Sequence, residues 1–351
     1  MLLSLAKTLV ITVTFSSLFA WLTGPLKKDE SVVFFPTSAT MQEQDNWQFP
    51  VHHWVFEKEE KDLSRRLTQK VFSEVFEALG VTEEQAKAPL TQQRVMWFLV
   101  DNKRWKPVTI QLDNHQYDLA LTQANGHAET QLQLAGKVGK TGQWLQFKAL
   151  DKYQRNFSGE VHLIPPRGLS VISDIDDTIK ISQVLDKKAL ITNTFVKPYR
   201  VTAGFPDYYQ QLQKSGAFFH YVSASPWQLY PALKPFLENN YPKGSISLRN
   251  FRLKDSSFFD FLKSSQDYKI NRISEIISRY PKHQFLLIGD SGEHDPEVYA
   301  AIYKRFSGQI KRILIRAVKD SDLSKQRFDA TFANVPQEIW QITTNPMEGG
   351  T

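Results

Sequence analysis

The stretch SVISDIDDTIK, residues 170–180, places Asp174, Asp176 and Asp177 within four positions directly after an apolar run. Carboxylates this close repel one another. At ~4 Å and an effective dielectric near 20, each pair costs roughly 4 kcal/mol. Solvent exposure, a bound cation or a reaction that uses the acids would each offset that cost. If the preceding LSVI is a strand, Asp174 stands at its carboxyl tip. Asp176 then comes one turn-step later, so both can face one point above the sheet, with Thr178 just beyond. A helix N-cap cluster or a solvated turn would explain the same acids without any chemistry. Asp177 has no place in such a site and is expected to point away, capping a helix or facing solvent.

Three further places carry reactive residue types. The apolar run FFHYV ends at Ser223. FLLI ends in GDSGEHD, with Asp290 and Asp295 five residues apart and Glu293 and His294 between them. Lys269 opens a helical pattern upstream of that second acidic strand. Each has a plain explanation alone: Ser223 caps the following helix, Lys269 is a solvated lysine, and Asp290 begins a turn. Together, in this order, they are hard to attribute to coincidence.

The elements that must position these groups begin after Gly168. The short apolar segments LSVISDI, AFFHYVSA, SISLRNF, QFLLIGD and RILIRAV alternate with the helical patterns PDYYQQLQKSG, WQLYPALKPFLENN and YKINRISEIISRY. Alternating strands and helices imply a parallel sheet covered on both faces, with ligands bound off the carboxyl ends of the strands. From Arg94 to Pro165 the segments are short and often alternate polar with apolar, which predicts an antiparallel sandwich or barrel. Pro165, Pro166 and Gly168 mark the boundary.

Further upstream, residues 31–47 read as an extended lead-in, and FPVHHWVFE reads as a strand. Lys58 to Leu79 has helical spacing, with Gly80 as its stop, and Thr82 to Gln85 forms a capping-box pattern. The stretch GKVGKT, Gly136 to Thr141, imitates a phosphate-binding loop, but Leu134 stands where that motif needs glycine. A hairpin turn is expected there instead.

With 351 residues, 41% hydrophobic and 23% charged, the chain has enough apolar content for two or three domains. The expected fold class is α/β. Residues 1–30 form a signal peptide or anchor, 31–165 a smaller β-rich, sandwich-like domain with an early helix, and 168–345 a parallel-sheet, Rossmann-like catalytic domain. The formal charge of +6 is modest and no dense Lys/Arg run is present, so a nucleic-acid partner is not expected. The chain has no cysteine, which excludes disulfides, thiolate zinc sites and a cysteine nucleophile. Lys7 precedes an apolar stretch from Leu9 to Leu22, short for a spanning helix and suited to a signal-peptide core. The expectation is export (secreted or periplasmic), or anchoring through this stretch.

D-x-D-x-T, a strand ending in Ser, a Lys, then G-D-x-x-x-x-D is an ordered set that resembles the haloacid-dehalogenase-like (HAD-like) phosphatase superfamily across roughly residues 168–320. GLSVISDIDDTIK, FHYVSASPWQLYP and LLIGDSGEHDPEVY resemble one branch more closely, the catalytic domain of the actin-patch-type phosphatidate phosphatases. Relatives often carry Asn where this chain has Ala224.

The resemblance implies a Mg²⁺-dependent phosphomonoesterase that forms an aspartyl-phosphate, with phosphatidate as substrate and diacylglycerol as product. It implies Asp174 as nucleophile and Asp176 as general acid and base. Thr178 tightens the loop, and Ser223 and Lys269 hold the phosphoryl oxygens. Asp174, Asp290 and the Asp176 carbonyl are the implied Mg²⁺ ligands, supported by Asp295. A phospholipid or another phosphomonoester is the implied partner, with association at a membrane surface. A phosphatase for a soluble ester, and a vestigial binding protein, are the competing readings.

The segment between Thr178 and Ser223 is short for a large cap, so an open site is expected. TNTFVKPYR, residues 192–200, is a candidate lid, with Lys197 or Arg200 meeting an anion or simply solvated. Trp227 and Tyr230 either meet an acyl chain or pack on the sheet. The sequence sets no oligomeric state.

Overall fold

The computed structural model describes residues 24–42, 46–58, 63–135, 138–250 and 266–348. The chain divides into two compact units. One takes residues 1–60 and 100–163, the other 61–99 and 164–351. The helical stretch 61–99, which the sequence reading assigned to the β-rich domain, therefore groups with the second unit.

The first unit is built on a nine-stranded sheet among the described residues. Its strands are β1 (Glu30–Phe34), β2 (Thr37–Met41), β3 (Asn46–Glu57), β4 (Asp101–Asn102), β5 (Thr109–Leu112), β6 (His115–Asp118), β7 (His127–Ala135), β8 (Trp144–Ala149) and β9 (Ser158–Ile164). The order runs β1-β3-β2-β9-β8-β5-β6, with β4 and β7 also paired to β3. The expected extended lead-in is thus two ordered strands.

Strand β3 faces the main core of this unit with one set of residues and buries Trp54 and Phe56 on its other face. Trp47, Phe49, Val51 and Val55 alternate into the core and are fully buried or nearly so. His53 shares their phase and is also fully buried, with neither ring nitrogen hydrogen-bonded. Among the described residues, the strands on either side of GKVGKT are not paired with each other as a hairpin. β7 pairs with β3, and β8 with β5 and β9, so the turn joins strands that have different partners. Gly136 and Lys137 lie outside the described residues.

The second unit begins with α1 (Leu63–Ala78), α2 (Glu83–Lys87) and α3 (Pro89–Val95). The Thr82 hydroxyl accepts from Gln85 N while the Gln85 side chain accepts from Thr82 N, completing the predicted capping box.

The sheet of this unit has six parallel strands in the order β12-β11-β10-β13-β14-β15. They are β10 (Gly168–Ser173), β11 (Phe218–Pro226), β12 (Ser245–Arg249), β13 (His283–Asp290), β14 (Ile310–Arg316) and β15 (Trp340–Thr343), the last without a counterpart in the sequence reading. The connecting helices are α4 (Lys187–Ile191), α5 (Phe205–Lys214), α6 (Tyr230–Asn240), α7 (Gln266–Arg279), α8 (Asp295–Phe306) and α9 (Lys325–Thr331).

On α7, Ile273, Ile276 and Ile277 follow the helical i, i+3, i+4 spacing and bury against Ile172, Phe285 and Leu287 of the sheet. Each such side chain contributes about 1.5–3 kcal/mol by leaving water. That packing holds the first turn of α7, and Lys269 with it, over the sheet.

The expectation of export or anchoring is corrected here. No helix among the described residues is long and apolar enough to cross a membrane. The stretch Leu9 to Leu22, on which the expectation rested, lies outside the described residues.

Candidate active site

The site lies where the strand order reverses. β10 has β11 on one side and β13 on the other, and the connections from β10 and β13 leave in opposite directions along the sheet. Such a reversal opens a crevice at the carboxyl ends of the strands. Register brings the acids to that edge. Ser173, the last residue of β10, pairs with Ile288, and the amide of Asp174 donates to Ile288 O at 2.9 Å. Asp290, the last residue of β13, sits two positions beyond Ile288. Ser223 lies in the distal half of β11. Asp174, Asp176, Ser223, Asp290 and Asp295 are all buried.

Lys269 enters from the first turn of α7, only 1% exposed. Its Nζ lies 2.9 Å from Asp174 Oδ1, 3.0 Å from Glu293 Oε2 and 2.6 Å from Asp295 Oδ1. Those three carboxylates have oxygens within 4.8 Å of one another, a spacing that suits a metal, but the ammonium already contacts all three. Burial alone would push the Lys269 ammonium down. The facing carboxylates outweigh burial and hold it well above its usual range. Burial pushes Asp174 well above the carboxylate range, opposed by Lys269 and reinforced by Asp295, Glu293 and Asp176.

Asp295 spends its second oxygen on the amide of Asp290, at 3.2 Å. A side chain at position 289 would collide with that carboxylate and with Tyr299, which accounts for Gly289. Asp290 Oδ1 accepts from Gly292 N at 2.7 Å and Glu293 N at 3.1 Å. Its Oδ2 is buried with no hydrogen-bond partner. Burial, then Asp295 and Asp174, push Asp290 well above the carboxylate range. A buried carboxylate oxygen with no donor is costly. Asp174, Asp290, Glu293 and Asp295 together face one ammonium. These residues fit a small, hard cation with oxygen ligands, and Asp290 Oδ2 is the atom left free to take one.

Asp176 occupies a different environment. Its Oδ1 lies 2.7 Å from Lys180 Nζ and accepts from Ser182 Oγ at 2.7 Å. Its Oδ2 accepts from Ser225 Oγ at 2.7 Å and Ser223 Oγ at 3.1 Å. Burial would raise this carboxyl, but the Lys180 charge and the hydrogen bonds from Lys180, Ser182 and Ser225 hold it well below the usual range. Two carboxylates two residues apart are thus driven in opposite directions. The Ser223 hydroxyl also accepts from Ser225 N at 2.9 Å. Thr178 donates to Asp174 Oδ2 at 3.0 Å.

Asp177 is buried rather than solvated. Its carboxylate accepts the amides of Ser182 at 2.9 Å, Gln183 at 2.8 Å and Val184 at 2.6 Å, closing the loop behind the site. Its φ of +53° is in the left-handed region, which Asp tolerates better than most residues. Lys197, Arg200 and His294 have exposed side chains. Trp227 and Tyr230 are buried, as the packing alternative expected.

Four contributors were missed by the sequence reading. Lys180 stands four residues after Asp176 in the same motif, so spacing offered a signal. Ser182 and Ser225 lie close by in sequence but look like ordinary loop serines. Arg327 of α9 donates to Ser291 O at 2.8 Å and Glu293 O at 3.1 Å, fixing the acidic loop, and nothing local marks it.

A parallel α/β sheet with acids gathered at its switch point holds them where open α/β sheets bind their ligands. Residues 169–317 match the family model described as phosphatidate phosphatase APP1, catalytic domain, so the resemblance carried by the three motifs is shown for that segment. Over 189 residues the chain is 35% identical to phosphatidate phosphatase APP1 of Saccharomyces cerevisiae, covering 53% of this chain and 32% of that protein. Over 212 residues it is 31% identical to an uncharacterised protein of Schizosaccharomyces pombe, covering 59% of this chain and 34% of that one. The matches span about a third of each relative's length.

Two solved structures overlap the chain at low similarity. One is a class C acid phosphatase from Bacillus anthracis with tungstate bound (TM-score 0.28, 15% identity, 52% of this chain and 68% of that one). The other is a phospho-aspartyl intermediate analogue of phosphoserine phosphatase (TM-score 0.27, 10% identity, 46% and 97%).

Proposed function

We propose that this chain is a phosphomonoesterase working through an aspartyl-phosphate, with phosphatidate as substrate. The observation that carries the reading is the opposite treatment of Asp174 and Asp176: one faces a buried lysine among acids, the other rests in a cradle of donors. Acids in such unlike surroundings suit different roles; a bound cation would lower Asp174 and an arriving phosphate would raise Asp176 from these resting directions, which is what a nucleophile and a proton donor need. The family match of residues 169–317 supports phosphatidate in particular.

An oxygen of Asp174 attacks phosphorus, and the bond from phosphorus to the ester oxygen breaks. Lys269, 2.9 Å from Asp174, favours the charged form of the attacking carboxylate against the pull of burial and offers its ammonium to a phosphoryl oxygen. Thr178 fixes the free oxygen of Asp174 so that it presents one face. The departing alkoxide takes a proton from Asp176. The Asp176 donors favour its charged form, so that proton is acquired as the negatively charged phosphate arrives beside it. Asp176 then removes a proton from the water that cleaves the aspartyl-phosphate, releasing phosphate and regenerating Asp174. Ser223 turns its hydroxyl from Asp176 toward a phosphoryl oxygen when substrate enters. Asp174, Asp290 and the Asp176 carbonyl would hold Mg²⁺, with Asp295 supporting Asp290 through its amide. A bound Mg²⁺ would neutralise charge on the phosphate and the surrounding carboxylates.

The test compares phosphatidate vesicles with soluble phosphomonoesters, with Mg²⁺ and with chelator. Mg²⁺-dependent release of phosphate and diacylglycerol from vesicles is the expected result. Turnover of soluble esters with none on vesicles would overturn the lipid substrate, and no turnover of any ester would overturn the phosphatase.

A further inference from the structure

We propose that Arg94, on α3 and far upstream of the matched segment, is a positioning residue of the site, acting through residues 197–202 on the cradle that holds Asp176. The inference rests on the reading that Asp176 transfers the proton.

Arg94 is 5% exposed. Its Nη1 donates to Thr194 O at 2.9 Å and to Lys197 O at 2.7 Å, and its guanidinium carbon sits 3.8 Å from the centroid of the Tyr199 ring. Among the described residues it has no carboxylate partner, so its contacts go to the backbone and the aromatic face of one short segment. That segment opens with a π-helical turn, Thr192–Val196, which continues α4 and is followed by Lys197 and Tyr199. Phe195 anchors the turn, packing its ring 5.4 Å from Phe72 and 5.7 Å from Phe98. π-helical turns recur where a segment is shaped for function.

The connection onward to Asp176 is direct. Tyr199 has its hydroxyl buried without a partner, and Lys180 Nζ lies 5.1 Å from its ring centroid. Arg200 O accepts from Ile181 N at 2.9 Å, Thr202 N donates to Ile179 O at 3.2 Å, and Lys180 and Val201 form an antiparallel bridge. Residues 179–182 are therefore laced to 200–202. They carry Lys180 and Ser182, the donors on Asp176 Oδ1. Without the guanidinium, the Thr194 and Lys197 carbonyls lose their donor and the Tyr199 face loses its cation. A shift of that segment moves Lys180, and displacements near 1 Å at a catalytic group cost on the order of 100-fold in rate.

The experiment uses the full chain with p-nitrophenyl phosphate and phosphatidate vesicles, alongside hydrogen exchange at the Ile181 and Thr202 amides. Arg94→Ala is expected to lower kcat roughly 10- to 100-fold, with KM changed less than about threefold. Exchange at both amides should rise about tenfold. Arg94→Lys is expected to fail as a rescue, because an ammonium cannot bridge both carbonyls and cover the ring together. Tyr199→Leu, which keeps the bulk of the segment, should lower kcat about threefold or more even if Arg94→Ala does not fold.

Unchanged exchange in the Arg94 variants, full rescue by lysine, or a rise in KM alone would overturn the proposal. A wild-type chain inactive on every ester would overturn the phosphatase reading instead. The exchange comparison would still decide whether Arg94 controls the cradle.

Discussion

The Lys269 ammonium lies 2.9 Å from Asp174 Oδ1, with both side chains only 2% exposed. A lysine buried this deeply stays charged only because acids surround it, and those acids stay tolerable only because the lysine is there. Lys269→Met keeps an unbranched side chain one atom shorter and removes the charge. It is expected to abolish measurable turnover and to destabilise the fold by about 3–5 kcal/mol at neutral pH, the usual cost of stranding buried charge. Urea titration of wild type and variant measures the second effect.

Asp176→Asn keeps the shape of the cradle and removes the group proposed to carry the proton. The expected loss in kcat is roughly 10²- to 10⁴-fold. The loss should be smaller for p-nitrophenyl phosphate than for an alkyl ester, because a good leaving group needs less protonation. Steady-state kinetics on the two esters checks the ratio, and an equal loss on both would count against the general-acid role.

Asp290 Oδ2 is the buried carboxylate oxygen left without a donor beside Asp174 and Lys269. Chelator is expected to abolish turnover and Mg²⁺ to restore it. Asp290→Asn should raise the Mg²⁺ concentration needed for half-maximal activity at least tenfold. In the absence of metal the same variant should be at least as stable as wild type, since it removes a carboxyl that burial and the neighbouring acids disfavour in its charged form. Thermal melts with and without Mg²⁺ read both effects.

The β-rich unit has its own pH dependence. Burial lowers His53 to about 4, and burial together with His53 lowers His127 to about 3. Both are neutral in the fold, whereas in the unfolded chain they take up protons near pH 6.5. The unfolded state therefore binds more protons below that pH, so stability rises with pH through this window and is lost as pH falls from about 6.5 toward 4. For His53 the full loss is roughly 3 kcal/mol. His127 stacks on Trp54 with ring centroids 5.4 Å apart, so tryptophan fluorescence follows the transition. His53→Leu is expected to flatten the acid limb of the melting curve.

What the sequence made legible was whatever depends on local pattern. The ends of the apolar runs LSVI and FLLI located Asp174 and Asp290, because parallel register carries successive strand ends to one edge. Thr82 and Gln85 announced their capping box for the same local reason. Long-range choices were not legible. Arg94 reaches a carbonyl 100 residues away, and no pattern around it records that contact. The helices from Leu63 to Val95 read as part of the β-rich half because they precede its later strands, yet their aromatic residues pack on Phe195. Asp177 is expected to cap a helix or face solvent, and instead caps the three backbone amides of a loop, a role that spacing alone does not mark.

The claim that Asp174 is the nucleophile is tested most directly by brief exposure to phosphatidate, acid quench and peptide mass spectrometry. A phosphoryl group on the peptide containing Asp174, present in Asp176→Asn and absent in Asp174→Asn, is the result this account requires. Continued turnover by folded Asp174→Asn, or phosphoryl transfer to any other residue, would contradict it.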